Sequence, residues 1–279
     1  MSILYVVPTP IGNLGDVSDR ARQTLCDVDF IAAEDTRVTV RLLNHLGLKK
    51  PMVSYYEHNR RESGLRIAAR IAAGETCALV SDAGTPAVSD PGTDLVALCS
   101  EQEIAVVALP GPCAAVTALS VSGLPCGRFC FEGFLSTSKK SRAAHLSALP
   151  NEPRTMVFYE APHKLLATLR DLLAMLGDRP LAVCRELTKL HEEVLRTTLS
   201  EALRHFETVA PRGEFVLVVS GAPEAPPPAD ALEQAIALAQ HHIEQGDTLR
   251  DAVRRAVSAT GVRRNEVYDG VVKLLDEKE

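Results

Sequence analysis

The stretch Ser81-Asp82-Ala83-Gly84-Thr85-Pro86-Ala87-Val88-Ser89-Asp90-Pro91-Gly92 packs two carboxylates, two glycines and two prolines into one loop. Proline fixes φ and glycine permits positive φ, so this composition specifies one loop shape rather than many. Carboxylates and backbone amides held in fixed places can bind a polar, positively charged ligand. An ordinary βα turn also uses Asp, Gly and Pro, though so short a turn rarely needs all six. Two further loops share this makeup, Pro8-Thr9-Pro10-Ile11-Gly12-Asn13 and Pro110-Gly111-Pro112. Charged clusters stand at Glu34-Asp35-Thr36-Arg37, at Glu57-His58-Asn59-Arg60-Arg61 and at Arg185-Glu186-Leu187-Thr188-Lys189. The first suits either a site or a helix N-cap, since Asp35 or Thr36 can cap the following helix.

Several chemistries are excluded by what is missing. There is no G-x-G-x-x-G fingerprint, no phosphate P-loop and no nucleophile elbow or triad. The seven cysteines show no zinc spacing, and Asp82 and Asp90 lack companion ligands, so no metal is expected. A rigid pocket of backbone amides, small apolar walls and a few carboxylates remains. It suits an adenosine-like cofactor carrying an amine and a positive charge.

The elements that position these residues read as α/β. Apolar runs at Ile3–Val7, Phe30–Ala33, Val53–Tyr56, Ala78–Val80 and Ala105–Leu109 predict strands, separated by helical patterns. That alternation predicts a parallel, doubly wound sheet over 1–125, with the Pro/Gly loops at its strand ends. Over 126–222 the strands Phe129–Leu135, Thr155–Tyr159, Leu181–Cys184, Glu193–Leu199 and Gly213–Ser220 crowd together and predict a mixed sheet. A Pro-rich linker is expected at 223–229. A helical unit follows at 230–279, with helices Ala231–Gln245, Leu249–Thr260 and Arg264–Leu275; the last two have helix-turn-helix proportions.

With 279 residues, 46% of them hydrophobic, the chain can bury the cores of two domains. A formal net charge of −6 announces no polyanion partner. Locally, however, no acid occurs between Glu132 and Glu152, where Lys139, Lys140 and Arg142 sit together. No leader or membrane-length run is visible, and scattered cysteines fit a reducing compartment, so a soluble cytoplasmic protein is expected.

The loop motifs Ser81-Asp82-Ala83-Gly84-Thr85-Pro86 with Asp90-Pro91-Gly92, and Leu109-Pro110-Gly111-Pro112-Cys113-Ala114-Ala115, resemble the tetrapyrrole-methylase superfamily. Within it the chain resembles the ribosomal RNA small subunit methyltransferase I family. The marks are Pro8 to Leu14, Ala33 to Arg37, Glu57-His58-Asn59, Phe131-Glu132-Gly133-Phe134, Tyr159-Glu160, Arg185 to Lys189 and Gly213-Glu214. The resemblance implies two α/β domains with S-adenosyl-L-methionine folded in the cleft between them. It also implies 2′-O-methylation of a cytidine ribose in the decoding region of 16S rRNA, by a homodimer acting on the small subunit or its precursor. Cofactor contacts are expected from Pro10, Asp82, Ala83, Gly84, Pro86, Asp90, Pro110, Gly111, Pro112, Ala114, Ala115, Tyr159, Glu160, Leu187, Gly213 and Glu214. Glu34, Asp35, Arg37, His58 and Lys189 are the expected acceptor-side catalytic group. Arg60, Arg61, Lys139, Lys140 and Arg142 are the expected RNA contacts. A methyltransferase of a tetrapyrrole or other small molecule is the alternative, although Pro8-Thr9-Pro10 departs from the porphyrin-acting branch. A further alternative is a ligand-sensing regulator that binds nucleic acid through the C-terminal helices. Arg263-Arg264 favours that reading, while Glu266 and Asp269 weaken it.

Overall fold

A computed structural model of the chain describes residues 2–223 and 230–276. It divides into two compact units, Met1–Ala222 and Pro223–Glu279. The expected linker at 223–229 falls almost wholly outside the described residues.

The first unit begins with strands β1 (Ile3–Val6), β2 (Phe30–Ala33), β3 (Met52–Ser54), β4 (Thr76–Val80) and β5 (Ala105–Ala108). They form an all-parallel sheet in the order β3-β2-β4-β1-β5. Strand β2 is buried on both faces, which explains its unbroken apolar run. Helices α1 (Asp19–Asp27) and α2 (Thr36–His45) cover one face through Ala21, Leu25 and Leu43. Helices α3 (Arg60–Ala72) and α4 (Gly92–Glu101) cover the other through Ile67, Ile71, Leu95 and Cys99. Ser18 caps α1 by accepting from the Ala21 N–H at 3.1 Å. The onward connections of neighbours β1 and β4 run to opposite edges of the sheet, so their exit loops open a crevice at the switch point.

The second sheet contains β6 (Phe129–Phe134), β7 (Thr155–Glu160), β8 (Pro180–Arg185), β9 (Glu193–Thr198) and β10 (Phe215–Val219). Its order is β6-β7-β10-β8-β9, with β6 and β7 parallel and the remaining pairs antiparallel. The period-2 pattern of β10 divides the core. Phe215, Leu217 and Val219 face α6 (Lys139–Ser147), α7 (Leu165–Leu176) and α8 (Leu199–Thr208), while Val216 and Val218 face α5 (Ala114–Ser122). In α7 the leucines 165, 169, 172 and 176 recur at helical spacing on this core, each worth about 1.5–3 kcal/mol when fully buried. Helix α5 lies before the expected boundary at 125, yet it packs on the second sheet. Its small residues serve close helix–sheet packing.

Arg179 is buried, with no carboxylate partner among the described residues. Its guanidinium donates to the Leu176 and Ser220 carbonyls at 3.1 and 3.5 Å and also to the Pro150 carbonyl. It thereby ties the C-terminal end of α7 to two loops.

The second unit contains α9 (Ala231–Glu244), α10 (Leu249–Thr260) and α11 (Arg264–Asp276), joined by an alanine- and valine-rich core. Thr248 caps α10, and Gly261 ends it at φ 70°, a left-handed position that glycine takes readily. Among the described residues no helix is long and apolar enough to cross a membrane, and all seven cysteines are free thiols.

Candidate active site

The three Pro/Gly loops meet. Thr9 and Gly84 exchange backbone hydrogen bonds at 2.9 and 3.0 Å, and the Thr9 hydroxyl donates to the Ser81 carbonyl at 3.1 Å. The Thr85 hydroxyl donates to the Pro112 carbonyl at 2.8 Å. Gly111 lies so close to Pro8 that a Cβ there would sit 2.6 Å from the proline ring. A cavity of about 430 Å³ opens beside these loops, between the two sheets.

One wall is the loop after β4. Asp90 shapes it, since its Oδ1 accepts from the Ala87 N–H at 2.9 Å and the Gly92 N–H at 2.7 Å. Ala87 and Ser89 are held at φ 68° and 69°, a region costly to any residue with a Cβ. The composition indicates that this loop is special, but the left-handed positions fall on Ala87 and Ser89 as well as on Gly84.

At the end of β2, Glu34 and Asp82 interlock. The Asp82 N–H donates to Glu34 Oε2 at 3.3 Å, and the Asp35 N–H donates to Asp82 Oδ1 at 3.0 Å. Burial pushes the Glu34 and Asp82 carboxyls up, with the charges of Asp82, Asp90 and Asp35 adding to the effect at Glu34. Asp35 resolves the choice left open in the sequence: it caps α2 through the Arg37 N–H at 2.8 Å and binds the Arg37 guanidinium. That guanidinium holds its carboxyl at about 2.

The opposite wall comes from the second sheet. Lys189 Nζ lies between Glu186 Oε1 at 2.9 Å and Glu214 Oε2 at 2.8 Å, and these carboxylates hold its ammonium above its ordinary pKa against the effect of burial. Glu186 and Thr188 are also left-handed, at φ 51° and 66°. Gly213 is required beneath Glu186, for a Cβ at its φ of 83° would lie 2.5 Å from Glu186 Cγ. Tyr159 accepts from the Ala115 N–H at 3.0 Å, and burial pushes its phenol up to about 12. Buried Glu160 accepts from the Ala161 N–H at 2.9 Å and from the Thr168 hydroxyl.

Of the expected cofactor residues, Asp82, Ala83, Gly84, Asp90, Ala114, Tyr159, Glu160, Leu187 and Glu214 line the cavity. Pro10, Pro86, Pro110, Gly111, Pro112, Ala115 and Gly213 are not in its lining; those with the contacts above hold the lining loops in place. Of the acceptor-side group, Glu34 and Lys189 line it, whereas Asp35 and Arg37 form their ion pair outside it and His58 is exposed beside Tyr56. Arg142, one of the expected RNA contacts, is held by neighbouring side chains. Its guanidinium is committed to Asp171 at 2.7 Å and Thr168 at 2.9 Å, which staples α6 to α7. Arg60 is partnered by Glu57 and Asp94, while Arg61, Lys139 and Lys140 are exposed. Sequence reasoning missed the apolar lining by Ile11, Cys113, Phe134, Cys184 and Val216. Only strand register brings Cys184 and Val216 there, and neither carries a local signal.

Comparison with known proteins agrees with this geometry. The family model described as Tetrapyrrole (Corrin/Porphyrin) Methylases matches residues 3–203. Ribosomal RNA small subunit methyltransferase I of Synechocystis sp. is 48% identical, over 98% of this chain and 99% of that protein. The protein of that name from Escherichia coli O157:H7 is 46% identical over 95% and 93%. The one from Thermotoga maritima is 48% identical over 79% of this chain and 99% of its own length. Among solved structures, uroporphyrin-III C-methyltransferase from Thermus thermophilus in complex with S-adenosyl homocysteine has TM-score 0.56 at 16% identity, covering 78% of this chain and 96% of that one. The methyltransferase CobJ has TM-score 0.59 at 18% identity, covering 78% and 94%. The structural likenesses establish the fold, and the identities over nearly the whole length settle the branch: this chain belongs to the ribosomal RNA small subunit methyltransferase I family of tetrapyrrole methylases.

Proposed function

We propose that the protein transfers a methyl group from S-adenosyl-L-methionine to the 2′ hydroxyl of a cytidine ribose in the decoding region of 16S rRNA, as a cytoplasmic homodimer acting on the small subunit or its precursor. The observation that carries the cofactor reading is the charge of the cavity. Of its lining residues Glu34, Asp82, Asp90, Glu186 and Glu214 are acidic beside the one lysine, Lys189, while the carboxylate of Glu160 turns to Thr168 of α7. That imbalance favours a ligand bearing positive charge. The cofactor carries both an ammonium and a sulfonium, and a volume of about 430 Å³ falls in the range for such ligands. Asp82 and the backbone of Ala83 and Gly84 would hold it from the first sheet, and Tyr159, Leu187 and Glu214 from the second. Relatives named for the small-subunit rRNA support the acceptor. The family model matches residues 3–203, all within Met1–Ala222, which supports placing the chemistry in that unit.

When bound, the cofactor supplies a methyl group activated by the positive sulfur. The protein contributes position and proton handling. Glu34 is the group best placed to take the ribose proton, because it lines the cavity and burial brings its carboxyl nearer the working pH. Lys189, clamped by two carboxylates, orients the opposite wall and offers positive charge to a developing alkoxide. Asp35 and Arg37 act as positioning residues through the α2 cap.

Mapping ribose methylation in 16S rRNA from strains with and without the gene tests this. Loss of 2′-O-methylation at a cytidine, restored on complementation, is expected. An unchanged rRNA pattern, or methylation of a free tetrapyrrole by the purified protein, would overturn the reading.

Lys139 and Lys140 lie in the first turn of α6, free of acidic neighbours in that turn. Replacing both with Gln is expected to lower the salt slope of rRNA binding by about one to two and to weaken binding uniformly across sequences. Arg142→Gln should instead lower the melting temperature, because it unpairs Asp171.

A further inference from the structure

The chain has seven phenylalanines. Phe30, Phe158, Phe206 and Phe215 are buried, whereas Phe129, Phe131 and Phe134 are 41%, 36% and 55% exposed, and all three lie on β6. Strand β6 is an edge of its sheet. On one face Cys130 packs against the core and Glu132 pairs with His145 of α6 at 2.8 Å. Phe129 and Phe131 therefore share the opposite face. The pairing register slips between Phe131 and Gly133, where Gly133 takes φ 62°, and this bulge places Phe134 beside Phe131. Both rings stand edge-on to Tyr159, with centroids 5.0 and 5.5 Å away. A shallow groove lined by Ser89, Phe131, Glu132, Gly133 and Phe134 adjoins the cavity, because Ser89 and Phe134 line both.

We propose that this aromatic row, running along β6 from the mouth of the cavity, is a stacking platform for the bases next to the methylated nucleotide. The proposal rests on the RNA reading given above. Three solvent-facing rings in a row leave apolar area uncovered, and flat nucleobases can cover it without a sequence-specific pattern of hydrogen bonds. The basic residues flanking the strand in the sequence favour a polyanion as occupant. Arg128 adjoins Phe129, Lys139 and Lys140 follow a few residues after Phe134, and no acid occurs between Glu132 and Glu152. Glu132, the acid within the row and part of the groove lining, has its carboxylate engaged by His145. Recognition of single-stranded RNA by splaying bases onto aromatic side chains follows the same physics.

The test uses the full-length protein with Phe131→Ala, Phe131→Tyr, Phe131→Leu and Phe129→Ala. KM and kcat are measured on small subunits and on an rRNA fragment spanning the target. An oligoribonucleotide with 2-aminopurine beside the target cytidine reports stacking directly. Phe131→Ala is expected to raise KM for RNA about ten- to a hundred-fold, with quenching of the 2-aminopurine lost. Tyr should restore both and Leu should not, since Leu keeps apolar area but has no ring face. Phe129→Ala, farther from the cavity, should raise KM while calorimetric affinity for S-adenosylmethionine stays unchanged. Unchanged KM and quenching in the Ala variants, or rescue by Leu equal to that by Tyr, would overturn the platform. So would a shift to monomer in sedimentation of Phe129→Ala, which would make this face an interface between copies of the chain. A wild-type protein that methylates no rRNA would overturn the parent reading; active wild type with unaffected variants would overturn the platform alone.

Discussion

Asp90→Ala is expected to weaken S-adenosylmethionine binding about a hundred-fold and to lower the melting temperature by several degrees. One carboxylate oxygen satisfies two backbone N–H groups, those of Ala87 and Gly92. Each N–H left without a partner costs about 1–3 kcal/mol. The same two bonds hold Ala87 and Ser89 in left-handed conformations worth about 1–3 kcal/mol each in strain. Without them the loop relaxes, and the Asp82 to Gly84 wall moves with it. A loss of about 2–3 kcal/mol in a unit this size corresponds to roughly 4–12 °C. Asp90→Asn keeps an acceptor oxygen and should recover most of both losses, separating the cap from any direct charge contact with the cofactor. Titration calorimetry and thermal melting measure the two effects; undiminished affinity in Asp90→Ala would show that the loop does not depend on its cap.

Glu34→Gln is expected to reduce kcat about 10²- to 10⁴-fold, the usual contribution of a general base, while cofactor affinity changes only a few-fold. Its pH signature has a definite sign. Burial holds the Glu34 carboxyl above the ordinary 4.5, helped by Asp82, Asp90 and Asp35 and opposed by the Asp82 N–H. Below the raised value the carboxyl is protonated and cannot accept the ribose proton, so the wild-type rate falls as pH drops through it. Stability runs the other way. A carboxyl whose folded pKa is raised contributes stability that is fully present below its unfolded pKa and lost as pH rises through the folded one. Glu34→Gln should therefore melt slightly higher than wild type at neutral pH while being far slower. A pH–rate profile that keeps its acid limb in the Gln variant would assign the base to another residue.

The strands and loops that carry local signals are legible from the sequence. Pro and Gly mark the ends of β1, β4 and β5, and the sheet brings those ends together as the alternation of strands and helices requires. Thr248 and Gly261 bound α10 where their chemistry predicts. Side-chain partnerships are harder to read. The sequence shows Arg142 as one of three neighbouring cations, but only tertiary packing sets Asp171 beside it. His58 sits in a charged cluster that suggests a site, yet the turn after β3 leaves it exposed. The acidity of the cavity is assembled from Glu34, Asp82, Asp90, Glu186 and Glu214, which are scattered between positions 34 and 214 and form no motif together.

Among the described residues five without a glycine's freedom take positive φ, and four of them, Ala87, Ser89, Glu186 and Thr188, lie in two loops on facing walls of one cavity. Such geometry is tolerated only where the surroundings over-determine it. The ordering of these loops is thus completed when the chain folds and need not be repeated each time a ligand arrives. A preorganised cavity of this kind exchanges some thermal stability for tighter binding per contact. It also places the two most strained turns where a loosening substitution would be felt first as lost affinity and only later as unfolding.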